Sequence, residues 1–208
     1  DYMSALVDEQ RVTEGKAKLY EHYDTLQRVQ QVYGVDPATV VAVWGVESNF
    51  GQNFGTYPII QALGTLSCYG RRQAFFRKEF FAALKIVQAG DIRAEEFKGS
   101  WAGAFGHTQF MPTTFERLAV DFDGDGRRDL MTNTDDALGS TANYLKRNGW
   151  LSGQRWGFEV KLPEGFNVSG EGRRTKRSLQ TWQQRGVTGI LGQPLSDFAP
   201  SSELAGLL

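Results

Sequence analysis

The stretch Asp36–Gly51, DPATVVAVWGVESNFG, decides the fold. Asp36 suits a helix N-cap, and Pro37 suits the first turn, where no backbone N–H is needed. Val40, Val43, Trp44 and Glu47 then recur at helical spacing on one face. A carboxylate therefore ends an apolar stripe near a helix C-terminus. Burial and the negative end of the helix dipole both disfavour its charged form, as a general acid requires. A solvated glutamate at a fraying helix end has the same spacing, so the rest of the chain has to separate the two.

Upstream, Lys16–Tyr33 predicts an amphipathic helix burying Leu19, Tyr23, Leu26, Val29 and Tyr33, stopped by Gly34. His22 lies within it and reads as a packing or surface residue. Downstream, Gly51–Thr56 is a loop and Pro58–Leu66 a short helix. Arg71–Ala89 predicts a helix burying Phe75, Phe76, Phe80, Leu84 and Val87, with Asp91–Phe97 adding a turn or two. Lys98–Pro112, KGSWAGAFGHTQFMP, breaks the pattern, and its glycines allow close approach to another helix or to a ligand. Thr113–Val120 and Ala137–Arg147 are further helices. After Trp150, Gly and Pro become frequent. Gly157–Val168 suits short strands, Thr175–Arg185 a helix burying Leu179 and Trp182, and the final stretch a loop. Residues 1–150 read as an all-helical unit and 151–208 as a smaller mixed α/β appendage.

At 208 residues, 40% hydrophobic and 23% charged, the chain is ordinary for a soluble globular protein with a sizeable core. A net charge of −1 supplies no global field to draw in nucleic acid or membrane. No apolar run approaches a membrane span. Asp1 is not a natural start, so a removed leader is expected. Cys68 is the single cysteine, excludes an internal disulfide, and reads as a small core residue. His22 and His107 are far apart and form no metal-ligand pattern.

The sharpest local motif is Asp121-Phe122-Asp123-Gly124-Asp125-Gly126, the D-x-D-x-D-G form of an EF-hand-like calcium loop. Asp121, Asp123 and Asp125 supply hard oxygen ligands, and Arg127 offers its backbone carbonyl. Thr132 stands where the loop's closing glutamate is expected, so the closing carboxylate is Asp135 or Asp136, in a loop spanning 121–136. The calcium ion is expected to be structural. Arg71-Arg72 opens a helix, where cations are slightly unfavourable, a weak sign of an anion site.

GVESNFG at Gly45–Gly51 resembles the catalytic signature of the lysozyme-like lytic transglycosylases. GSWAGAFGHTQFMP at Gly99–Pro112 resembles their second motif. With the loop at Asp121–Gly126, Ala142-Asn143-Tyr144-Leu145-Lys146 and Gly149-Trp150, the sequence is similar to the membrane-bound lytic transglycosylase B family, including its soluble form. The resemblance implies a mainly α, lysozyme-like catalytic domain that cleaves peptidoglycan between N-acetylmuramic acid and N-acetylglucosamine, leaving 1,6-anhydromuramoyl ends. It implies Glu47 as the single catalytic acid and then base. It implies Ser100 and Gln109 as hydrogen-bonding cleft residues, Phe110 and Met111 as an apolar wall, Tyr144 as a cleft tyrosine, and Arg71 and Arg72 as contacts for acidic peptide stems. His107 stands where the family has small or varied residues and is not assigned a catalytic role. The family also has a segment beyond the position of Leu208, with a Tyr-Asn pair that completes the cleft. Peptidoglycan glycan strands are the expected partner, with cell-wall synthesis or remodelling proteins besides and no nucleic acid. A monomer in the periplasm or cell envelope is expected, an outer-membrane lipoprotein in full-length form. Two alternatives are a calcium-stabilised wall-binding module without catalysis and a hydrolytic lysozyme of goose type.

Overall fold

Local capping sets the helix starts in this computed structural model, which describes residues 6–154 and 157–207. Asp8 accepts the Arg11 N–H at 2.7 Å and starts helix α1 (Glu9–Glu21). Asp36 accepts the Thr39 N–H at 2.9 Å and starts α3 (Pro37–Ser48), as its sequence predicts. Between them lies α2 (Tyr23–Tyr33), closed by Gly34 at φ 68°. The expected single helix over Lys16–Tyr33 is thus two helices, and it begins earlier. The break is His22, whose ring turns onto Trp44 with centroids 5.3 Å apart. Both halves keep a helical period, so a periodicity count does not register the break. Leu26 and Val29 are buried as expected, but Tyr23, immediately after the break, is exposed.

Strand β1 (Tyr57–Pro58) leads into α4 (Ile59–Cys68), and α5 (Gln73–Ala89) follows. Here the burial expectation is corrected. The fully buried residues of α5 are Glu79, Ala82, Ala83 and Ile86, while Phe75, Phe76, Phe80 and Val87 pack partly buried and Leu84 is exposed. Ala82 and Ala83 flank Glu79 and Ile86 on the inward face, which packs against α4, and the larger rings cover the flanks. Cys68, expected in the core, is exposed at the end of α4. Residues 91–97 form turns, not helix, and insert Ile92 and Phe97 into the core.

Strand β2 (Lys98–Gly99) pairs antiparallel with β1 in the register Tyr57↔Gly99 and Pro58↔Lys98. Helix α6 (Pro112–Leu118) then begins over α5. Its start is satisfied from outside: buried Glu79 accepts the Thr113 N–H at 2.9 Å and the Thr113 hydroxyl at 2.7 Å. Helix α7 (Thr134–Arg147) is capped by Asn133 and is nearly all buried through its first half. One apolar cluster joins α4, α5, the 97–118 segment and Leu130; a second joins α2, α3 and α7 around Trp44. None of the described helices is long and apolar enough to cross a membrane.

The chain divides into two compact units, Asp1–Ser152 and Gly153–Leu208. The second has its own small core of Leu179, Trp182, Val187 and Leu195. Strand β3 (Val160–Lys161) pairs with β5 (Thr188–Gly189), and β4 (Arg177–Ser178) with β6 (Leu204–Ala205). Helix α8 (Leu179–Gln184) starts later than its sequence predicts, because Arg177 and Ser178 are held in that ladder and Ser178 caps it. The final stretch is likewise not all loop: it contains a 3₁₀ turn at Leu195–Asp197 and β6.

Phe105 carries the core beneath the second motif. It is fully buried between Phe97 (4.6 Å) and Phe115 (5.6 Å). Phe105→Ala is expected to cost about 3–5 kcal/mol, since the surrounding rings cannot collapse into the void. Urea unfolding of the two proteins measures this.

Candidate active site

Helix α3 sets the direction of Glu47. Its buried residues are Val40, Val41, Trp44, Gly45 and Ser48. At about 100° per residue, Glu47 lies about a quarter turn from the centre of that buried arc, sharing its edge with Val40 and Val43. Sequence reading places Glu47 on the buried face; the structure places it at the edge, with its side chain exposed. The protein around the carboxyl still displaces enough water to raise its pKa above the usual glutamate value, and desolvation is the cause. No hydrogen bond to the Glu47 carboxyl is made by any of the described residues. A cavity of about 320 Å³ beside the same helix, lined by Val12, Leu19, Val41, Ala42, Gly45 and Val46 among others, opens on the opposite side of α3 and takes no part in the site.

The end of α3 is tied to the second motif. Ser48 Oγ donates to the His107 carbonyl oxygen at 2.6 Å and accepts the Gly51 N–H at 2.9 Å. The Trp44 indole N–H donates to His107 Nδ1 at 2.9 Å, in the buried interior. Gly51, at φ 85°, lies so close to the His107 ring that an added Cβ would stand 2.4 Å from it. The chain reverses after Ser48 through Asn49 (φ 50°) and Phe50 (φ 55°), closed by Asn49 N–H to Gly45 O and Phe50 N–H to Trp44 O.

The glycines of the second motif approach protein, not ligand. A Cβ at Gly99 would meet the Ala104 carbonyl oxygen at 2.2 Å, and one at Gly106 the Leu130 carbonyl oxygen at 2.5 Å. The result is a tight double reversal, with Phe105 and Phe110 exchanging backbone bonds at 3.0 Å. Ser100 Oγ accepts the Ala104 N–H at 3.0 Å, which fixes the hydroxyl at a turn. Gln109, at φ 51°, donates through Nε2 to Gly106 O (3.0 Å) and Phe54 O (3.3 Å), so it clasps the loop that follows Glu47. Phe110, expected in the apolar wall, is only 6% exposed and is rooted in the core. Met111 is half-buried, and Tyr144, 40% exposed with its ring 5.7 Å from Phe110, supplies the exposed aromatic surface there. Arg71 and Arg72 are exposed in the turn before α5. Arg72 has φ 61° and its guanidinium lies over the Phe75 ring at 4.2 Å. Sequence reasoning missed Trp44, Ser48, Phe54 and His107 as parts of this assembly. Ser48 adjoins Glu47, but no sequence pattern pairs it with residue 107.

In the acidic loop, carboxylate oxygens of Asp121, Asp123 and Asp136 lie within 4.8 Å of one another. Asp136 is fully buried and accepts the Phe122 and Asp129 N–H groups at 2.7 and 2.8 Å; burial raises its pKa, and those two bonds oppose the rise. Asp123 is lowered, chiefly by the Asn133 amide. Asp135 faces away, bonded to Arg28 and Thr25 at 2.9 Å each, so Asp136 is the acid that joins the cluster. Asp125, expected as a ligand, is outside it; its carboxylate accepts the Arg127 N–H at 2.8 Å. Thr132 turns to Asp129. Three clustered carboxylates fit a hard cation that prefers oxygen, and Gly126 at φ 92° gives the sharp turn.

Over residues 1–207 the sequence matches the family described as Transglycosylase SLT domain. The chain belongs to this family. It is 36% identical to membrane-bound lytic murein transglycosylase B of Escherichia coli (strain K12), over 98% of this chain and 55% of that protein. It therefore spans about half the length of that curated relative. SltB3 from Pseudomonas aeruginosa, solved in complex with NAG-anhNAM-pentapeptide, superposes with a TM-score of 0.92 at 49% identity, covering 100% of this chain and 55% of that one. Escherichia coli Slt35, solved in complex with calcium, gives 0.84 at 33% identity, covering 99% and 68%. The lysozyme-like, mainly helical fold is shared with these transglycosylases.

The raised Glu47 pKa has a stability consequence. Between its unfolded and folded values the native state holds more protons, so stability falls as pH rises through that window. Glu47→Gln removes this penalty. It is expected to raise Tm at pH 7 slightly, by less than about 1 kcal/mol or on the order of 2 °C because the side chain is exposed, and to give no gain at a pH below both values. Calorimetry at the two pH values checks it.

Proposed function

We propose that this chain is the catalytic part of a peptidoglycan lytic transglycosylase. The observation that carries the reading is Glu47: a carboxyl whose pKa is raised by desolvation alone, at the end of a helix anchored to the second motif. Family membership and the peptidoglycan-fragment complex of SltB3 support it. Glu47 gives its proton to the glycosidic oxygen between N-acetylmuramic acid and N-acetylglucosamine, and the C1–O bond breaks. The carboxylate so formed takes the proton of the muramoyl C6 hydroxyl as that oxygen bonds to C1. A 1,6-anhydro ring results and Glu47 is protonated again. Hydrolytic glycosidases of the common kind need two carboxylates; here the substrate supplies the nucleophile, so one suffices.

Ser100 and Gln109 are assigned to hydrogen bonds with the sugars, Tyr144, Met111 and the edge of Phe110 to apolar contact, and Arg71 and Arg72 to acidic peptide stems. Among the described residues neither arginine is engaged by a carboxylate, which leaves both available. The acidic loop is assigned to a structural calcium ion held by Asp121, Asp123 and Asp136, with Asp125 and the Arg127 carbonyl as the remaining loop ligands of an EF-hand pattern. The substrate places the protein in the cell envelope.

Mass spectrometry of digested murein tests the activity. Anhydromuramoyl ends are expected from the wild type and a loss of at least about 100-fold from Glu47→Gln. Reducing ends would instead indicate a hydrolase, and intact glycan with both proteins a binding module. For the loop, calcium at about 100 times its Kd is expected to stabilise the fold by about 2.7 kcal/mol. Identical melting curves in calcium and in chelator would remove the metal assignment.

A further inference from the structure

We propose that His107 is a positioning residue for the Glu47 carboxyl, acting through the Trp44 indole and the Ser48 hydroxyl; this rests on the reading of Glu47 as acid and base. Trp44 and Ser48 are one turn apart on α3, and Glu47 lies between them. Trp44 donates to the His107 ring and Ser48 to the His107 carbonyl, at 2.9 and 2.6 Å. One residue therefore holds both ends of the helical turn that carries the carboxyl. Two fixed points on one turn set its rotation about the helix axis, and with it the side from which the proton is delivered. A misplacement of about 1 Å in such a group can cost about 100-fold in rate.

The chemistry requires a neutral imidazole. Nδ1 accepts the indole proton, so the ring proton sits on Nε2. The ring is enclosed by Trp44 (5.5 Å) and Phe54 (4.8 Å), and it closes on Gly51. The same Phe54 offers its carbonyl to Gln109, so the clasp extends to a residue assigned to substrate. The charged or titratable groups around this clasp are Asp129, His22, which packs edge-on to Trp44, and Lys18, above the Trp44 ring at 5.7 Å. Burial outweighs Asp129, lowering the His107 pKa to about 4, so the acceptor persists at neutral pH and is lost as pH falls through that value.

Two variants separate positioning from packing. His107→Phe keeps a ring but has no acceptor. His107→Asn loses ring volume but can present Oδ1 near the place of Nδ1. The expected result is a kcat about 10-fold lower for His107→Phe with KM within about 2-fold, and recovery to within about 3-fold of wild type in His107→Asn. The Trp44 indole N–H resonance is expected to move with a midpoint near pH 4 in the wild type and to be flat there in His107→Phe. Should His107→Phe fail to fold, Trp44→Phe removes the donor and carries the same kcat expectation. Wild-type kcat in the folded phenylalanine variant, or equal losses in the Phe and Asn variants, would overturn the proposal. The catalytic reading fails separately: a wild type that makes no anhydromuramoyl product ends it and the positioning role, even where the resonance shows the indole bond intact.

Discussion

Ser48 Oγ closes two structures with one atom. It donates to the His107 carbonyl at 2.6 Å and accepts the Gly51 N–H at 2.9 Å, so the helix bearing Glu47, the loop leaving it and the second motif meet there. The fold on both sides serves this junction. Trp44, one turn earlier, binds the His107 ring from within the α2–α3–α7 cluster. Phe105 and Phe110, flanking His107, are rooted in the other cluster. The two apolar clusters of the first unit are thus joined through polar contacts that water does not reach. A buried hydroxyl, carbonyl and indole are costly unless each is paired, and here each pairs with another of the set.

Three carboxylates show how environment separates scaffold from chemistry. Glu79 is buried, and both of its oxygens are engaged at the start of α6 by Thr113. Asp136 is buried, and each oxygen accepts a backbone N–H of the acidic loop. Those bonds fix the two carboxylates as struts that order neighbouring backbone. Glu47 has its pKa raised by desolvation, as Asp136 has, but among the described residues no donor occupies its oxygens. A carboxyl that is partly desolvated and unbonded can give up and regain a proton without dismantling a network.

The sequence was most legible where one residue type does one local job. Asp36 and Pro37 mark the start of α3 through capping alone. Leu179 and Trp182 are buried as their spacing predicts, and the D-x-D-x-D-G pattern marks a loop in which two of its three aspartates converge. It was least legible where tertiary contact decides. The choice between Asp135 and Asp136 depends on Arg28 and Thr25, more than a hundred residues upstream. The inward face of α5 differs from its spacing because Glu79, engaged by Thr113, and Ile86 hold its centre with Ala82 and Ala83 at either side, and the phenylalanines lie on the flanks. His22 breaks a helix for the sake of Trp44. His107, read by itself, gave no sign of its two bonds to α3.

Backbone strain points the same way as the side-chain contacts. Among the described residues the non-glycine positions with positive φ are Asn49, Phe50, Arg72 and Gln109, and all four lie in segments assigned to the site. A non-glycine residue there costs on the order of 1–2 kcal/mol, less for asparagine. Such a cost persists only where surrounding contacts determine the conformation. For Phe50 the contact is its ring, packed edge-on to Trp44 and over the Gly45 backbone. For Gln109 it is the pair of carbonyls at Gly106 and Phe54, bonded from one amide nitrogen. For Asn49, Phe50 and Gln109 the strain therefore lies in the loop after Glu47 and in the motif clasped to it, and at Phe50 and Gln109 it is offset by contacts that hold those segments still. The double role proposed for Glu47, first acid and then base, depends on that rigidity.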